Sequence, residues 1–148
     1  MPTNSVLVDD RLLVAHLTGD GLLGRRSKAS LHTTTYWYYR VCRAAVLGGA
    51  GQLSGPFAEL GPHDQARAIA AMLQLPEDVG LPDPRAVVPA MVDIASRHPR
   101  LNLMNIEAAA AARVLGARVL LSPLASRGVL PPVLDAERIR WDVRDPLG

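Results

Sequence analysis

The sequence lacks several features that define common classes of protein. It has one cysteine, Cys42, in 148 residues, which excludes an internal disulfide framework and is typical of a reducing compartment. No apolar run approaches the roughly 20 residues that a membrane-spanning helix needs. No basic segment or small-residue cleavage site precedes the first apolar segment. We therefore predict a cytoplasmic protein that does not associate with a membrane.

The motifs of common hydrolases and nucleotide-binding proteins are also missing. The chain contains no G-x-S-x-G nucleophile elbow, and its four histidines lack metal-ligand spacing. A glycine-rich segment at residues 48–51 follows a predicted helix rather than a strand, which favours a helix stop over a phosphate-binding loop. Cys42 lies within a predicted helix, where a structural thiol is favoured over a catalytic nucleophile.

The composition is that of an ordinary globular protein. Apolar residues make up 49% and charged residues 20% of the chain, and the length fits one domain over residues 1–148. The net charge of +2 permits contact with nucleic acid without requiring it. The densest basic segment, Arg25, Arg26 and Lys28, lies in a predicted loop.

The apolar pattern predicts short strands separated by helices. Strands are expected at residues 5–8, 118–121 and 138–143, and helices at residues 11–17, 36–47, 65–75, 83–98 and 101–115. Because helices separate the strands, we predict a three-layer α/β/α domain with a central, mostly parallel sheet.

Two carboxylates, Asp9 and Asp10, directly follow the first predicted strand. In an open parallel sheet, ligands bind in the crevice beyond the carboxyl ends of the strands. The alternative is that one of the two caps the helix that follows. The pattern of residues leaves both roles open.

Four of the six aromatic residues (two Trp, three Tyr and one Phe) lie in the segment 36–39. One interpretation places Tyr36, Tyr39 and Val46 in the core, with Trp37 and Tyr38 beneath a loop. A second makes the segment a protein interface, because Tyr, Trp and Arg dominate such contacts. A third is a stacking surface for single-stranded nucleic acid. The basic residues that would contribute to a binding surface are Arg25, Arg26, Lys28, Arg40 and Arg43.

Two segments resemble the PIN nuclease family, in particular its small VapC-like members. Residues 5–15 combine an apolar strand, an aspartate and a helix start, and residues 101–121 combine a capped, alanine-rich helix, Leu-Gly-Ala and a buried strand. The resemblance implies the PIN-like α/β/α fold. It also implies hydrolysis of RNA at Mg²⁺ or Mn²⁺ held by three or four carboxylates.

Few of the carboxylates that the resemblance implies are present. Asp9 matches the first acidic position, and Asn105 matches the third. The second falls among residues 38–41 and the fourth near Ser122, where the chain has no acid. Asp10 and Glu107 are further candidate metal ligands, although two residues along a helix rotate Glu107 by about 200° from Asn105.

Three functions remain open from the sequence. The first is a PIN-like protein that has lost most metal-binding carboxylates and binds RNA or a partner protein with little or no catalysis. The second is an active Mg²⁺- or Mn²⁺-dependent ribonuclease with Asp9 as its catalytic residue, the toxin of a toxin–antitoxin pair with a small antitoxin-like partner. The third is a homodimer built on the aromatic helix. Additional metal ligands could come from Asp20, Glu59 or Asp93.

Overall fold

The computed structural model describes residues 4–19, 29–47 and 62–146. Its strands are β1 (Ser5–Val8), β2 (Ser30–His32), β3 (Val79–Gly80), β4 (Arg118–Leu121) and β5 (Trp141–Val143). Its helices are α1 (Asp10–Thr18), α2 (Thr35–Val46), α3 (Pro62–Leu73), α4 (Pro84–Arg97), α5 (Leu103–Leu115), α6 (Pro123–Ser126) and α7 (Leu130–Ala136). Among the described residues, no helix is both long enough and apolar enough to cross a membrane.

The five strands form one sheet in the order β3-β2-β1-β4-β5, and every neighbouring pair is parallel. The chain moves outward from β1 to β2 and β3, then returns to the other side of β1 to form β4 and β5. The order therefore reverses between β1 and β4, which makes their carboxyl ends the topological switch point of the sheet. The predicted parallel α/β architecture is confirmed.

The two central strands are buried on both faces of the sheet. Leu7, Val119 and Leu121 pack on one face with residues of α4, α5 and α7. Val6, Val8 and Leu120 pack on the other face with residues of α1, α2 and α3. Successive side chains of a strand point to opposite faces, so a strand covered on both faces needs an unbroken apolar run. This requirement explains the apolar runs of β1 and β4.

Local capping interactions set several helix ends. Thr34 caps α2 by accepting the Trp37 N–H at 3.0 Å, and Asp83 caps α4 directly before a proline. Asn102 caps α5 by accepting the Asn105 N–H at 3.0 Å. Gly116 ends α5 with a φ of 62°, a left-handed conformation that glycine adopts without steric cost. All four ends agree with the predicted helix limits to within a few residues.

The buried face of α2 differs from the predicted one. Trp37, Val41 and Ala44 are buried, whereas Tyr36 and Tyr39 are 37% and 58% exposed. The interpretation that placed Tyr36, Tyr39 and Val46 in the core is therefore wrong. The buried residues recur at intervals of four and three residues, which is the spacing of a single helix face. Small alanines on that face contribute to the contact that the large aromatic side chains were expected to make.

An ionic cluster joins the ends of α4 and α7 to α5. The carboxylate of Glu137, whose side chain is 5% exposed, accepts hydrogen bonds from Arg97 Nη2 at 2.5 Å and from Arg113. His98 Nε2 lies 3.1 Å from the same carboxylate, and Asp93 bonds both arginines. The hydrogen bonds from Arg97, assisted by His98 and the charge of Arg113, lower the pKa of Glu137 to about 2.

This cluster predicts a loss of stability in acid. Because the pKa of Glu137 is lower in the folded chain than in the unfolded one, its contribution is complete above about pH 4.5 and is lost as the pH falls toward 2. Urea denaturation of Glu137→Gln should show a loss of about 1–2 kcal/mol at pH 7 and a shallower decline between pH 5 and 2. Glu77→Gln, at an exposed position, is the control. Parallel acid profiles for Glu137→Gln and the wild type would contradict the prediction.

Candidate functional site

The carboxyl ends of β1 and β4 are joined by the side chain of Asp9, which is completely buried. Its Oδ1 accepts the N–H of Leu12 at 3.0 Å and so caps α1. Its Oδ2 accepts the backbone N–H of Ser122 at 2.8 Å and the Ser122 hydroxyl at 2.7 Å. Both oxygens of this carboxylate are therefore hydrogen-bonded to the protein itself, and of the two residues that the sequence left open as the helix cap, Asp9 is the N-cap.

Asp10 lies beside Asp9 and forms an ion pair with an arginine. Its Oδ2 is 3.0 Å from Arg40 Nε, and its Oδ1 accepts the N–H of Arg11 at 2.9 Å. Burial raises the pKa of Asp10, the negative charge of Asp9 raises it further, and the positive charge of Arg40 opposes both effects. Arg40 Nη1 is also 3.2 Å from the sulfur of Met104. A guanidinium therefore lies in the crevice, on the helix where the resemblance implied a second carboxylate.

The two α5 candidates face different surroundings. Asn105 is buried at the start of α5 and lines the same cavity as Asp10 and Arg40. Glu107 lies on another face of α5, as the helical rotation predicted. Its Oε1 accepts the N–H of Tyr36 at 2.8 Å, and its Oε2 accepts the N–H of Thr35 at 3.1 Å. Glu107 is buried and caps the start of α2.

The crevice holds a cavity of about 320 Å³. Much of its wall is aliphatic, with Leu124 among the contributors, and its polar lining comes from Asp10, Arg11, Arg40, Asn105 and Ser122. The structure thus brings together residues of all four family positions: Asp9 and Ser122 across the switch point, Arg40 on α2 and Asn105 on α5. It does not bring Glu107 to this cavity.

The other predicted binding residues do not form one surface. Trp37 is 3% exposed and belongs to the core, while the Tyr38 hydroxyl donates to the Met72 carbonyl at 2.8 Å. Neither ring offers an open stacking face, and Arg43 is exposed on α2. Tyr36 and Tyr39 are instead the exposed rings, in edge-to-face contact at 6.2 Å. The basic residues Arg25, Arg26 and Lys28 lie outside the described residues.

The donor groups of the crevice do not fit a divalent metal ion. Within residues 4–19, 29–47 and 62–146, no group of three or more His, Cys, Asp or Glu side chains could hold a metal. The oxygens of Asp9 are hydrogen-bonded, and Asp10 is paired with Arg40. Asp93 lies in the ionic cluster on α4. Asp20 and Glu59, the other two residues considered as extra ligands, fall outside the described ranges.

The sequence indicated Arg40 as a binding residue but not as the partner of Asp10, and it indicated Ser122 only as a family position that lacks an acid. Ser122 follows β4 directly and therefore lies at the same sheet edge as Asp9. A search for polar residues of any kind after each predicted strand, and not for acids alone, would have found it. The position of Arg40 beside Asp10 depends on how α1 and α2 pack, which no local pattern reports.

No protein-family model matches this chain, and no curated protein matches it. Among solved structures, a chain in the structure of VapBC-1 from nontypeable Haemophilus influenzae is similar. The similarity covers 97% of this chain and 99% of that chain, with a TM-score of 0.56 and 12% sequence identity. At this identity the likeness concerns the fold, and it supports the PIN-like architecture predicted from the sequence.

Proposed function

We propose that this protein is a PIN-like domain that binds a partner protein or RNA and has little or no nuclease activity. One observation carries the proposal: in the part of the chain that the structure describes, each candidate carboxylate is bound to another group of the same chain. Asp9 is bonded to Ser122, Asp10 to Arg40, and Glu107 to the start of α2. Asn105, at the remaining family position, is neutral.

Metal binding would have to compete with these interactions. Mg²⁺ requires oxygen ligands in nearly octahedral geometry and is usually held by carboxylates together with substrate phosphates. At Asp9, three of the roughly four acceptor sites of the carboxylate are hydrogen-bonded, so coordination beyond the remaining site of Oδ1 would leave a buried donor without an acceptor, at a cost of about 1–3 kcal/mol. At Asp10, the positive charge of Arg40 at 3.0 Å opposes the approach of a second cation.

The same geometry suits recognition of a partner. Arg40 Nε and Nη1 contact Asp10 and Met104, and Nη2 has no hydrogen bond within the part of the chain that the structure describes. The aliphatic rim includes Leu124 and Val129, which are 47% and 61% exposed. A cationic group beside exposed aliphatic side chains can hold a polar and an apolar group of one ligand. An antitoxin-like partner is a proposal supported by the likeness to VapBC-1.

The alternative function is an active Mg²⁺- or Mn²⁺-dependent ribonuclease, the toxin of a toxin–antitoxin pair. The fold similarity to VapBC-1 is the observation that favours it. It requires Arg40 to move away from Asp10 when metal and RNA bind. A homodimer through the exposed Tyr36 and Tyr39 rings is compatible with either function.

The decisive experiment introduces acids at two of the family positions that line the cavity, Arg40 and Asn105. We expect the wild type to show neither Mn²⁺ binding by calorimetry at about 1 mM nor EDTA-sensitive cleavage of single-stranded RNA. The variant Arg40→Glu/Asn105→Asp should gain Mn²⁺ binding, because it replaces a cation and a neutral amide by carboxylates beside Asp10. Arg43→Glu, the same arginine-to-glutamate change at an exposed site on the same helix, is the matched control and should gain none.

The results that would contradict the proposal are equally specific. EDTA-sensitive hydrolysis by the wild type, lost in a folded Asp9→Asn variant, would establish the ribonuclease. Equal Mn²⁺ binding by the wild type and by Arg40→Glu/Asn105→Asp would show that Arg40 does not oppose a metal.

A further inference from the structure

A second cavity, of about 560 Å³, lies at the opposite edge of the sheet, where β4 and β5 begin. Arg118 is the first residue of β4, Arg140 directly precedes β5, and Arg138 follows α7. All three side chains line the cavity, together with Trp141. Because parallel strands have their amino ends at the same edge, this cavity is separated from Asp9 by the length of the sheet.

The strand register places two of these arginines side by side. Val119 pairs with Trp141, so Arg118 and Arg140 precede paired residues, and the Val119 N–H donates to the Arg140 carbonyl at 2.9 Å. Like charges on directly opposed strand residues are destabilising. Arg40, Arg97 and Arg113 are each paired with a carboxylate. In contrast, the side chains of Arg118, Arg138 and Arg140 form no ion pair or hydrogen bond with any residue that the structure describes.

The two carboxylates of the cavity, Asp135 and Asp142, form no ion pair with these arginines, and three guanidinium groups against two carboxylates leave the lining with an excess of one positive charge. Asp135 Oδ1 accepts the indole N–H of Trp141 at 2.8 Å, and Asp142 Oδ1 accepts the backbone N–H of Val143 at 2.9 Å. The bond from Asp135 fixes the orientation of the Trp141 ring. This ring packs partly against the core and lines the cavity with the rest of its surface.

Arg138 occupies a backbone position that ordinarily favours glycine. Its φ is 59°, and α7 ends there with Arg138 N–H bonded to the Asp135 carbonyl at 3.1 Å and Ile139 N–H bonded to the Leu134 carbonyl at 2.8 Å. Helices that end in this way usually place glycine or asparagine at the left-handed position. Arginine carries a steric cost there, and strain of this kind is characteristic of binding sites.

We propose that this cavity binds a nucleotide unit, with its phosphate held by the three arginines and its base stacked on Trp141. Guanidinium groups pair with phosphate oxygens through two parallel hydrogen bonds, and an anion would relieve the repulsion between Arg118 and Arg140. Aromatic rings stack on bases of any sequence. The nucleotide unit can come from a free nucleotide or from single-stranded RNA. The inference does not depend on the proposed function, because it uses none of the residues around Asp9.

Two probes, AMP and a hexauridylate RNA, test the proposal in the full chain. Because Trp37 lines the Asp10 cavity, the variant Trp141→Phe, which keeps Trp37, is measured in parallel, and the quenching of tryptophan fluorescence that it loses reports on a base stacked on Trp141. We expect Arg118→Gln and Arg140→Gln each to weaken binding about tenfold. For the RNA, each change should also reduce the dependence of affinity on salt by about 0.7 in logarithmic slope. Arg85→Gln, at an exposed position on α4, is the matched control and should bind like the wild type.

A variant at Arg138 tests the site through the strained backbone conformation of this residue. Arg138→Gly should weaken binding in the same way while leaving the chain as stable as the wild type or more so, because glycine adopts the left-handed conformation freely. Tighter binding of the RNA than of AMP would identify a strand, and equal binding would identify a single nucleotide. The proposal is overturned if neither probe quenches Trp141 at about 1 mM, or if Arg118→Gln and Arg140→Gln bind as tightly as the wild type.

Discussion

Replacing Glu107 with alanine should lower the free energy of unfolding by about 2–4 kcal/mol, because two backbone N–H groups at the start of α2 lose a charged acceptor. Those groups belong to Thr35 and Tyr36, at 3.1 and 2.8 Å from the carboxylate. The negative charge also interacts favourably with the amino end of the α2 dipole. Glu107 thus connects α5 to α2 through hydrogen bonds between residues more than 70 positions apart in the chain.

Urea denaturation at pH 7 measures this effect, with Glu77→Ala at an exposed position as the control. Glu107→Gln should lose about half as much stability, since its amide keeps one acceptor oxygen but not the charge. Neither variant should change the response to Mn²⁺, because the Glu107 side chain does not line the Asp10 cavity. Unchanged stability together with altered Mn²⁺ binding would contradict this structural role and indicate that Glu107 is a metal ligand.

Asp9→Asn should destabilise the chain by about 2–4 kcal/mol, because an amide cannot accept all three hydrogen bonds that the buried carboxylate accepts. If the amide oxygen continues to cap α1 through Leu12, the NH₂ group faces the N–H and hydroxyl of Ser122, which lie 2.8 and 2.7 Å from the present oxygen. The new amide NH₂ and the backbone N–H of Ser122 would then be two buried donors that face each other without an acceptor between them.

A double-mutant cycle separates this structural role from a catalytic one. Ser122→Ala alone should cost about 1 kcal/mol, since it removes the hydroxyl and leaves the backbone N–H bonded to Asp9. The double variant Asp9→Asn/Ser122→Ala should be less destabilised than the sum of the two, because the two side chains interact. An Asp9→Asn variant as stable as the wild type would contradict the role of Asp9 as the link between β1 and β4.

The crevice itself was partly predictable. In a parallel sheet, polar residues after two strands meet at one edge, so Asp9 after β1 and Ser122 after β4 could be assigned to the same region before their distances were known. The side chain that pairs with Asp10 could not be predicted. Arg40 reaches Asp10 because α2 packs beside α1, and a sequence shows the spacing within each helix but not the rotation of one helix against another.

The short edge strands show a similar limit. β2 has three residues and β3 two, too few for an alternating pattern to emerge. They form by pairing with an existing strand. The backbone of β1 pairs with Ser30, Leu31 and His32, and the backbone of β2 pairs in turn with Val79 and Gly80. Likewise, α7 has seven residues with two prolines near its start, fewer than the roughly 11–18 residues over which a helical period can be recognised.

By itself, the sequence determined the parallel α/β class, the central strands and the helix ends, because each rests on neighbours in the chain. A capping hydrogen bond joins residues two or three positions apart in the chain. A strand that is buried on both faces can be predicted from its own continuous apolar run. Only the tertiary structure decided what the acidic residues do. Asp9, Asp10 and Glu107 bond to Ser122, Arg40 and the start of α2, groups 30 to 113 positions away. Their carboxylates are therefore structural contacts because of the order of the strands and the packing of the helices.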